Sequence, residues 1–533
     1  MSKSERIGLI TIIFIVFSSE IFFGIWLAHD LHFIPGDALS RVANAYFVLY
    51  SRQPHLAAIG FVWNPLPSLL ALPLLLFKPW LPELATEGIS GTLVTAFFAA
   101  ASAGLFMRSM LRRKQGLFLS AVFVLLIISH PFLFLYGANG MSESVFIFFI
   151  IACVTFFLDW CGAKRVVSLV LVGFALALAF FTRYETIAFG AALACSFALI
   201  IITRRREYED GELQTIRSTY QRLEATELIV LLPVVYGVLI WLFLNWSIMG
   251  DAFYFLRSSY SNLAQSEGLS KNPLIGAVIG HPERALVYVI ARSLPFSCPA
   301  AAVLLIRALR QRFITAKTLS FLLLILSIPL MQWLMLVKGT SYGWLRFFAY
   351  PLPIAAAWLP FELQNLKQSG KRLYYAGVGI AVCALVISSV LTFRALQNGN
   401  LAPEEYQLFH YKDSYTYENA ILAKEIANDL DQRLRERPFA SVLMDSFNAF
   451  PIIVRMESRT QMIITSDLDF KAALRDPAHS RVRYILVPKP DGIARLNAVN
   501  QRYPRLYNNG STFTRLVKQY GDQWRLYQVE RVK

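Results

Sequence analysis

Stretches of apolar residues long enough to cross a bilayer recur from Ile7 to about Phe393, separated by short polar loops. Judged by apolar length they fall at about 7–28, 87–109, 116–136, 143–162, 166–182, 186–203, 227–247, 284–306, 318–337, 345–362 and 373–393, which predicts about eleven transmembrane helices. Beyond Phe393 the pattern changes. Short β-like and helix-like runs alternate there: SVLMDS (441–446), QMIIT (461–465), LDFKAALRD (468–476), VRYILVP (482–488), TRLVKQY (514–520) and WRLYQV (524–529). The fold class expected is a polytopic α-helical membrane protein with a C-terminal extracytoplasmic α/β domain, divided into 1–393 in lipid and 394–533 in water.

Charge orients the helices, because Lys and Arg concentrate in cytoplasmic loops. Five clusters stand out: Arg108/Arg112/Arg113/Lys114, Lys164/Arg165, Arg204/Arg205/Arg206, Arg307/Arg310/Arg312 and Lys371/Arg372. One outward and one inward helix fit between successive clusters, with the N-terminus inside and the C-terminus outside. The apolar segment 61–80 breaks this scheme, since it carries Pro65, Pro67, Pro73 and Pro79. Were it to span, every later basic loop would face outward, so it reads as a re-entrant or interfacial helix on the outer face. The first span is longer than a signal-peptide core and lacks a small-x-small cleavage site, so it reads as retained. The location expected is the plasma (inner) membrane, multi-pass.

Composition adds little beyond this. The chain is 533 residues long, 56% hydrophobic and 16% charged, outside the balance of soluble domains. The net charge of +16 invites a nucleic-acid reading, but topology explains the loop cations and the rest are scattered. The five cysteines (Cys153, Cys161, Cys195, Cys298, Cys383) lie in or beside apolar runs, which leaves the C-terminal region without a disulfide framework or a zinc cluster. The histidines show no HExxH or paired metal spacing. No metal ligands are assigned and no cofactor is expected, while a divalent ion on carboxylates stays open. The C-terminal region has no GxGxxG, P-loop or internal repeat, and acceptor binding or stabilisation is its default role.

Candidate chemistry gathers at the outward helix ends. Asp37, Arg41, His55 and Asn64 follow the first span; Asn139, Ser142 and Glu143 the third; Arg183, Tyr184 and Glu185 the fifth; Asp251, Tyr254 and Arg257 come later, then Lys338, Tyr342 and Arg346. Topology gives them similar depth, not hydrogen-bonding reach. A charge at a bilayer boundary costs free energy unless a polar cavity or partner receives it, which makes Asp37 the leading functional candidate. Plainer roles stand beside the chemical ones. Asp37 and Glu143 are placed to cap the helices that follow them, and Asp251 suits a turn. Lys338 and Arg346 are able to snorkel, and His55, beside Pro54, reads as structural. Arg183 and Glu185, two residues apart, would not share a face of a regular helix, so joint action needs an unwound position.

The segments GDALSR (Asp37), WNPLPSLLALPLLLF, NGMSES (Glu143), TRYE (Arg183, Tyr184, Glu185) and GWLRFFAYPLP (Arg346) together resemble the GT-C membrane glycosyltransferases, in the group of protein O-mannosyltransferases and aminoarabinose transferases acting on lipid A. The resemblance covers the membrane part and, more loosely, the outer C-terminal domain. The chain departs from the O-mannosyltransferases at the first loop, where Ala38 and not an acid follows Asp37.

The resemblance implies inverting transfer of a sugar from a polyprenyl-phosphate donor to a lipid, glycan or protein acceptor at the outer face. Asp37 would be the general base, and Glu143 would orient the acceptor or assist Asp37. Arg183, Arg257, Lys338 and Arg346 are the candidate cations for the leaving phosphate, with Arg41, His55, Tyr184, Glu185 and Tyr342 orienting substrate. Neither a soluble nucleotide-sugar site nor nucleic acid is expected. A lipid or glycan transporter or flippase is the rival class, but its inverted repeats and mid-membrane helix breaks are not evident. An O-antigen ligase or oligosaccharyltransferase-like enzyme keeps the fold and changes the cargo.

Overall fold

The computed structural model describes residues 1–204 and 216–530; Arg205 and Arg206 of the third basic cluster lie outside them. Every expected span falls on a helix: Lys3–His29, Ile89–Arg112, the pair Leu117–Ile128 and Pro131–Ala138, Glu143–Ala163, Val166–Phe180, Thr186–Arg204, Ile216–Met249, Pro282–Leu309, Ala316–Val337, Pro351–Ser369 and Lys371–Leu396. Among the described residues eight single helices are long and apolar enough to cross a membrane, nine if the bent pair is one span. Two expected spans fall short of that standard. Val166–Phe180 has only 15 residues, and Pro351–Ser369 carries Glu362 and Lys367 in its second half. The chain is a multi-pass membrane protein of the expected class.

Local sequence explains the breaks. Ser2 and Glu5 form a reciprocal cap on the first helix, the Glu5 N–H donating to Ser2 Oγ at 3.2 Å and the Ser2 N–H to Glu5 Oε2 at 2.6 Å. The run 116–136, read as one span, bends by 72° at Ser129–His130, because Pro131 has no N–H to continue the ladder. The 61–80 segment holds a ten-residue helix, Leu66–Leu75. At 1.5 Å per residue that is about half the thickness of a bilayer core, so this helix does not span.

The chain packs as two compact units. One comprises Met1–Phe23, Thr95–Phe243 and Asn272–Tyr406; the other comprises Gly24–Val94, Leu244–Lys271 and Gln407–Lys533. These are units of packing, a different matter from the division of polarity at 393/394.

In the first unit, Glu143–Ala163 is buried along most of its length and packs on Val166–Phe180 and Pro351–Ser369. Gly173 lies close enough to the partner helix Ile216–Met249 that a Cβ there would stand 2.8 Å from the Ile229 carbonyl oxygen. Pro233, four residues on, leaves that carbonyl without its helical N–H partner. Arg307 donates to Glu362 and to Thr318 Oγ1 (2.8 Å) and Thr315 Oγ1 (2.6 Å), tying three helices with one guanidinium.

The second unit is built on a five-stranded mixed sheet: β1 Ser441–Leu443, β2 Met462–Ile463, β3 Val482–Pro488, β4 Thr514–Tyr520 and β5 Trp524–Val529. The strand order is β2-β1-β3-β5-β4, parallel from β2 to β3 and antiparallel from β3 to β4. Alternation along the strands gives the sheet two apolar faces. One carries Leu443, Ile463, Ile485, Val487 and Tyr527 against Phe470, Val499 and Leu506. The other carries Val442, Met462, Tyr484, Leu486 and Leu526, and belongs to one core with the helix Tyr415–Arg435 (Ile426, Leu430, Leu434) and the helix Gly36–Tyr50 (Leu39, Val42, Tyr46, Phe47). The helix bearing Asp37 is thus held by residues some four hundred positions further along the chain.

Candidate active site

The first unit gathers a buried cluster of charge from four elements. Glu143 is the first residue of the helix Glu143–Ala163, behind Ser142 as N-cap, and is fully buried. Its carboxylate makes no cap; it takes a hydrogen bond from Arg183 Nη1 at 2.5 Å on Oε1. Arg183 sits where the chain is unwound between Val166–Phe180 and Thr186–Arg204, and there its Nη2 reaches Glu185 Oε1 at 2.6 Å. The unwound position that joint action of Arg183 and Glu185 requires is therefore present. Burial alone would resist ionisation of Glu185, but the adjoining guanidinium outweighs it and holds the carboxyl below its usual range.

Arg346 completes the group. Gly343, at φ +63°, makes the turn that launches the 3-10 segment Leu345–Phe348, and a Cβ at that position would collide with the Tyr288 ring. Arg346 is 1% exposed, with its guanidinium 4.3 Å above the Trp344 ring, Nε 3.6 Å from Glu143 Oε1 and 3.2 Å from Glu404 Oε2. Next to Glu404, Glu405 accepts a 2.5 Å hydrogen bond from the Tyr136 hydroxyl. Burial pushes the Glu405 carboxyl up, against the pull of that bond and of Arg346. Among the described residues Glu143 Oε2, Glu405 Oε2 and the Tyr350 hydroxyl are buried in this cluster without a hydrogen bond.

The other expected residues have simpler settings. Tyr184 takes a 3.1 Å hydrogen bond from Trp241 Nε1, and Tyr342 stacks on Trp344 at 4.6 Å between ring centroids. Lys338 follows the helix Ala316–Val337, is exposed, and has no carboxylate within 4.0 Å among the described residues. Asn139 ends the helix Pro131–Ala138 and accepts from the Met141 N–H at 3.1 Å.

In the second unit Asp37 is exposed, in the first turn of Gly36–Tyr50. It is not the cap: Pro35 holds the N-cap position and no side chain caps this helix. The fixed φ of Pro35 starts the helix, and the carboxylate of Asp37 is left beside the positive helix end. Arg41, one turn on, donates to the Asn64 carbonyl at 3.4 Å and so joins the Asp37 helix to the Pro-rich segment. His55 is tied by Nδ1 to the Gln53 carbonyl at 2.6 Å, a local structural bond. Arg257 is largely exposed and pairs with Asp251 at 3.3 Å, while Asp251 also closes a turn by accepting from the Phe253 N–H at 2.9 Å.

Glu404, Glu405, Tyr136 and Tyr350 escape the sequence reading. The adjacent carboxylates in APEEYQ, just beyond the last span, were the available signal; the two tyrosines lie among aromatic residues and offer none. Among the described residues no three His, Cys, Asp or Glu side chains form a group able to hold a metal ion.

No protein-family model matches the sequence, and no curated protein is similar to it in sequence. In three dimensions the chain is similar to ArnT from Cupriavidus metallidurans, whose crystal structure was determined bound to undecaprenyl phosphate. The match has a TM-score of 0.54 at 12% identity and covers 99% of this chain and 98% of that one. The likeness is one of fold, running from the helices to the C-terminal sheet, and it agrees with the GT-C-like fold class expected from the sequence.

Proposed function

We propose that this protein is a membrane glycosyltransferase that takes a sugar from a polyprenyl-phosphate carrier and transfers it, with inversion, to an acceptor hydroxyl at the extracytoplasmic face. The observation that carries this reading is the whole-length likeness to ArnT, a protein solved with undecaprenyl phosphate bound. A transporter reading gains no comparable support.

Asp37 is the proposed base. A hydroxyl is a weak nucleophile, and a carboxylate that accepts its proton during attack on the anomeric carbon raises the rate by about 10²–10⁴-fold. It is exposed in the first turn of its helix, where an acceptor can reach it. The leaving lipid phosphate needs fixed cations. Lys338 and Arg257 keep exposed head groups and suit direct contact, whereas Arg183 and Arg346 are engaged by carboxylates and suit the shaping of the site. In that arrangement Glu143 Oε2 and the Tyr350 hydroxyl, each with hydrogen-bonding capacity left over, would take polar groups of a substrate.

The test is transfer of radiolabel by the purified protein in lipid, offered a panel of polyprenyl-phosphate sugars and membrane extract as acceptor, with Asp37→Asn alongside. Transfer by the native protein, lost in a variant that melts at the same temperature, supports enzyme and base together. Inert protein that moves a polyprenyl lipid between leaflets would replace this reading with transport.

A further inference from the structure

Within the second unit, two cations meet over a pair of tyrosines on the helix Gly36–Tyr50. Tyr46 and Tyr50, one turn apart on Gly36–Tyr50, have ring centroids 5.3 Å apart. Lys78 Nζ stands 5.1 Å from the Tyr46 centroid and 5.3 Å from that of Tyr50, and the Arg459 guanidinium lies 4.9 Å from Tyr50. Among the described residues no carboxylate lies within 4.0 Å of either cation. The nearby acids are already engaged: Asp431 accepts the N–H groups of Glu457 and Ser458 at 2.9 Å each, and Glu457 pairs with Arg435. Burial first, and the adjacent Arg459 second, push the Lys78 ammonium below the ordinary lysine range against the smaller opposing pull of Glu457.

A third donor belongs to one of the same two tyrosines. The Tyr46 hydroxyl is fully buried, makes no hydrogen bond among the described residues, and lies in the field of Arg459. Tyr50, by contrast, spends its hydroxyl on the Leu75 carbonyl at 2.9 Å, which fixes the Leu66–Leu75 helix end just before Lys78. An unsatisfied buried hydroxyl costs free energy, and two neighbouring cations with no carboxylate in contact repel; one phosphate group would answer both.

The neighbouring side chains say how that phosphate arrives. Leu76 and Phe77 before Lys78, and Trp80 and Leu81 after it, are all exposed, Trp80 by 74%. A ligand on the Lys78 head therefore meets apolar side chains at once, and a lipid supplies both phosphate and hydrocarbon while a free ion supplies only the first. We infer that Lys78, Arg459 and the Tyr46 hydroxyl form a site for the phosphate of an anionic membrane lipid, with the exposed 76–81 stretch resting in its acyl layer. This reading rests on these residues alone and does not depend on the proposed transfer chemistry.

Native mass spectrometry of the full-length protein titrated with phosphatidylglycerol, phosphatidylcholine or undecaprenyl phosphate tests the inference. The double variant Lys78→Gln/Arg459→Gln should weaken phosphatidylglycerol binding about tenfold and leave phosphatidylcholine unchanged. Tyr46→Phe, which keeps the ring, should weaken it severalfold at an unaltered melting temperature. Unchanged phosphatidylglycerol affinity in both variants overturns the site. So does displacement of the lipid by millimolar inorganic phosphate, which would mark a free-anion site, or a loss confined to undecaprenyl phosphate, which would assign these cations to a polyprenyl carrier.

Discussion

Arg346 Nε stands 3.6 Å from Glu143 Oε1, the same carboxylate oxygen that Arg183 holds at 2.5 Å. One acid thus serves two guanidiniums in a region almost without solvent, and its removal takes a partner from each, leaving Arg183 on Glu185 and Arg346 on Glu404. Glu143→Ala should cost about 3–5 kcal/mol, the range for breaking a buried pair, and lower the melting temperature of the purified protein. Glu143→Gln, still able to accept from Arg183, should lose less. Equal melting of Glu143→Ala and native protein would show that the cluster is solvated.

The four candidate cations divide by exposure. Lys338→Ala should leave folding intact and raise the donor KM about tenfold, the effect of one charged hydrogen bond. Arg346→Lys should instead lower stability, because a lysine cannot keep both the Trp344 stack and the reach to Glu143 and Glu404. Donor KM and melting temperature measured on both variants separate the roles; the reverse pattern would exchange them.

Asp429 gives the second unit an acid-sensitive tie. Burial acts to raise its pKa, but bonds from Arg433 Nε (2.6 Å), the Tyr520 hydroxyl (2.5 Å) and Lys518 Nζ (3.2 Å) prevail and lower it. A carboxyl depressed in the folded state contributes stability above its unfolded pKa of about 3.9, and that contribution drains as pH falls through the lower folded value. Melting temperatures recorded from neutral pH downward should therefore fall more steeply below about pH 4 in the native protein than in Asp429→Asn. Parallel curves would refute the tie.

Close approach of two helices at Gly173 makes another test. Its Cβ would stand 2.8 Å from the Ile229 carbonyl and 3.0 Å from Pro233 Cγ, neither of which is a flexible side-chain tip. Gly173→Ala should destabilise by about 1–3 kcal/mol. Gly379→Ala, with nothing within 4 Å, should be neutral or slightly stabilising. If thermal unfolding ranks the two the other way, the packing described for this pair is wrong.

Much of the fold was legible, and the reasons are physical. A membrane helix is written in one local property, a long apolar run, so every expected span falls on a helix. The bend at Pro131 was not foreseen, because apolarity continues through it. Strand order was hidden too, since β1 pairs with β3 forty residues away. In the candidate site, Glu143, Arg183, Glu185 and Arg346 were picked singly as charges at helix ends, but their convergence depends on helix packing that no local pattern encodes. Glu20 was legible and passed over: it interrupts an apolar run, is fully buried against Gly137, and among the described residues has no hydrogen bond to either oxygen.

The second unit draws on the beginning, middle and end of the chain, and this orders events in time. During synthesis the helix Gly36–Tyr50 leaves the ribosome early, but the apolar residues that share its core, from Ile426 to Leu526, come last. Until then Leu39, Val42 and Phe47 have no such cover, and a chaperone or the lipid surface must shelter them. A chain halted before residue 426 would carry its spans and Asp37, yet lack the platform that holds that residue in place.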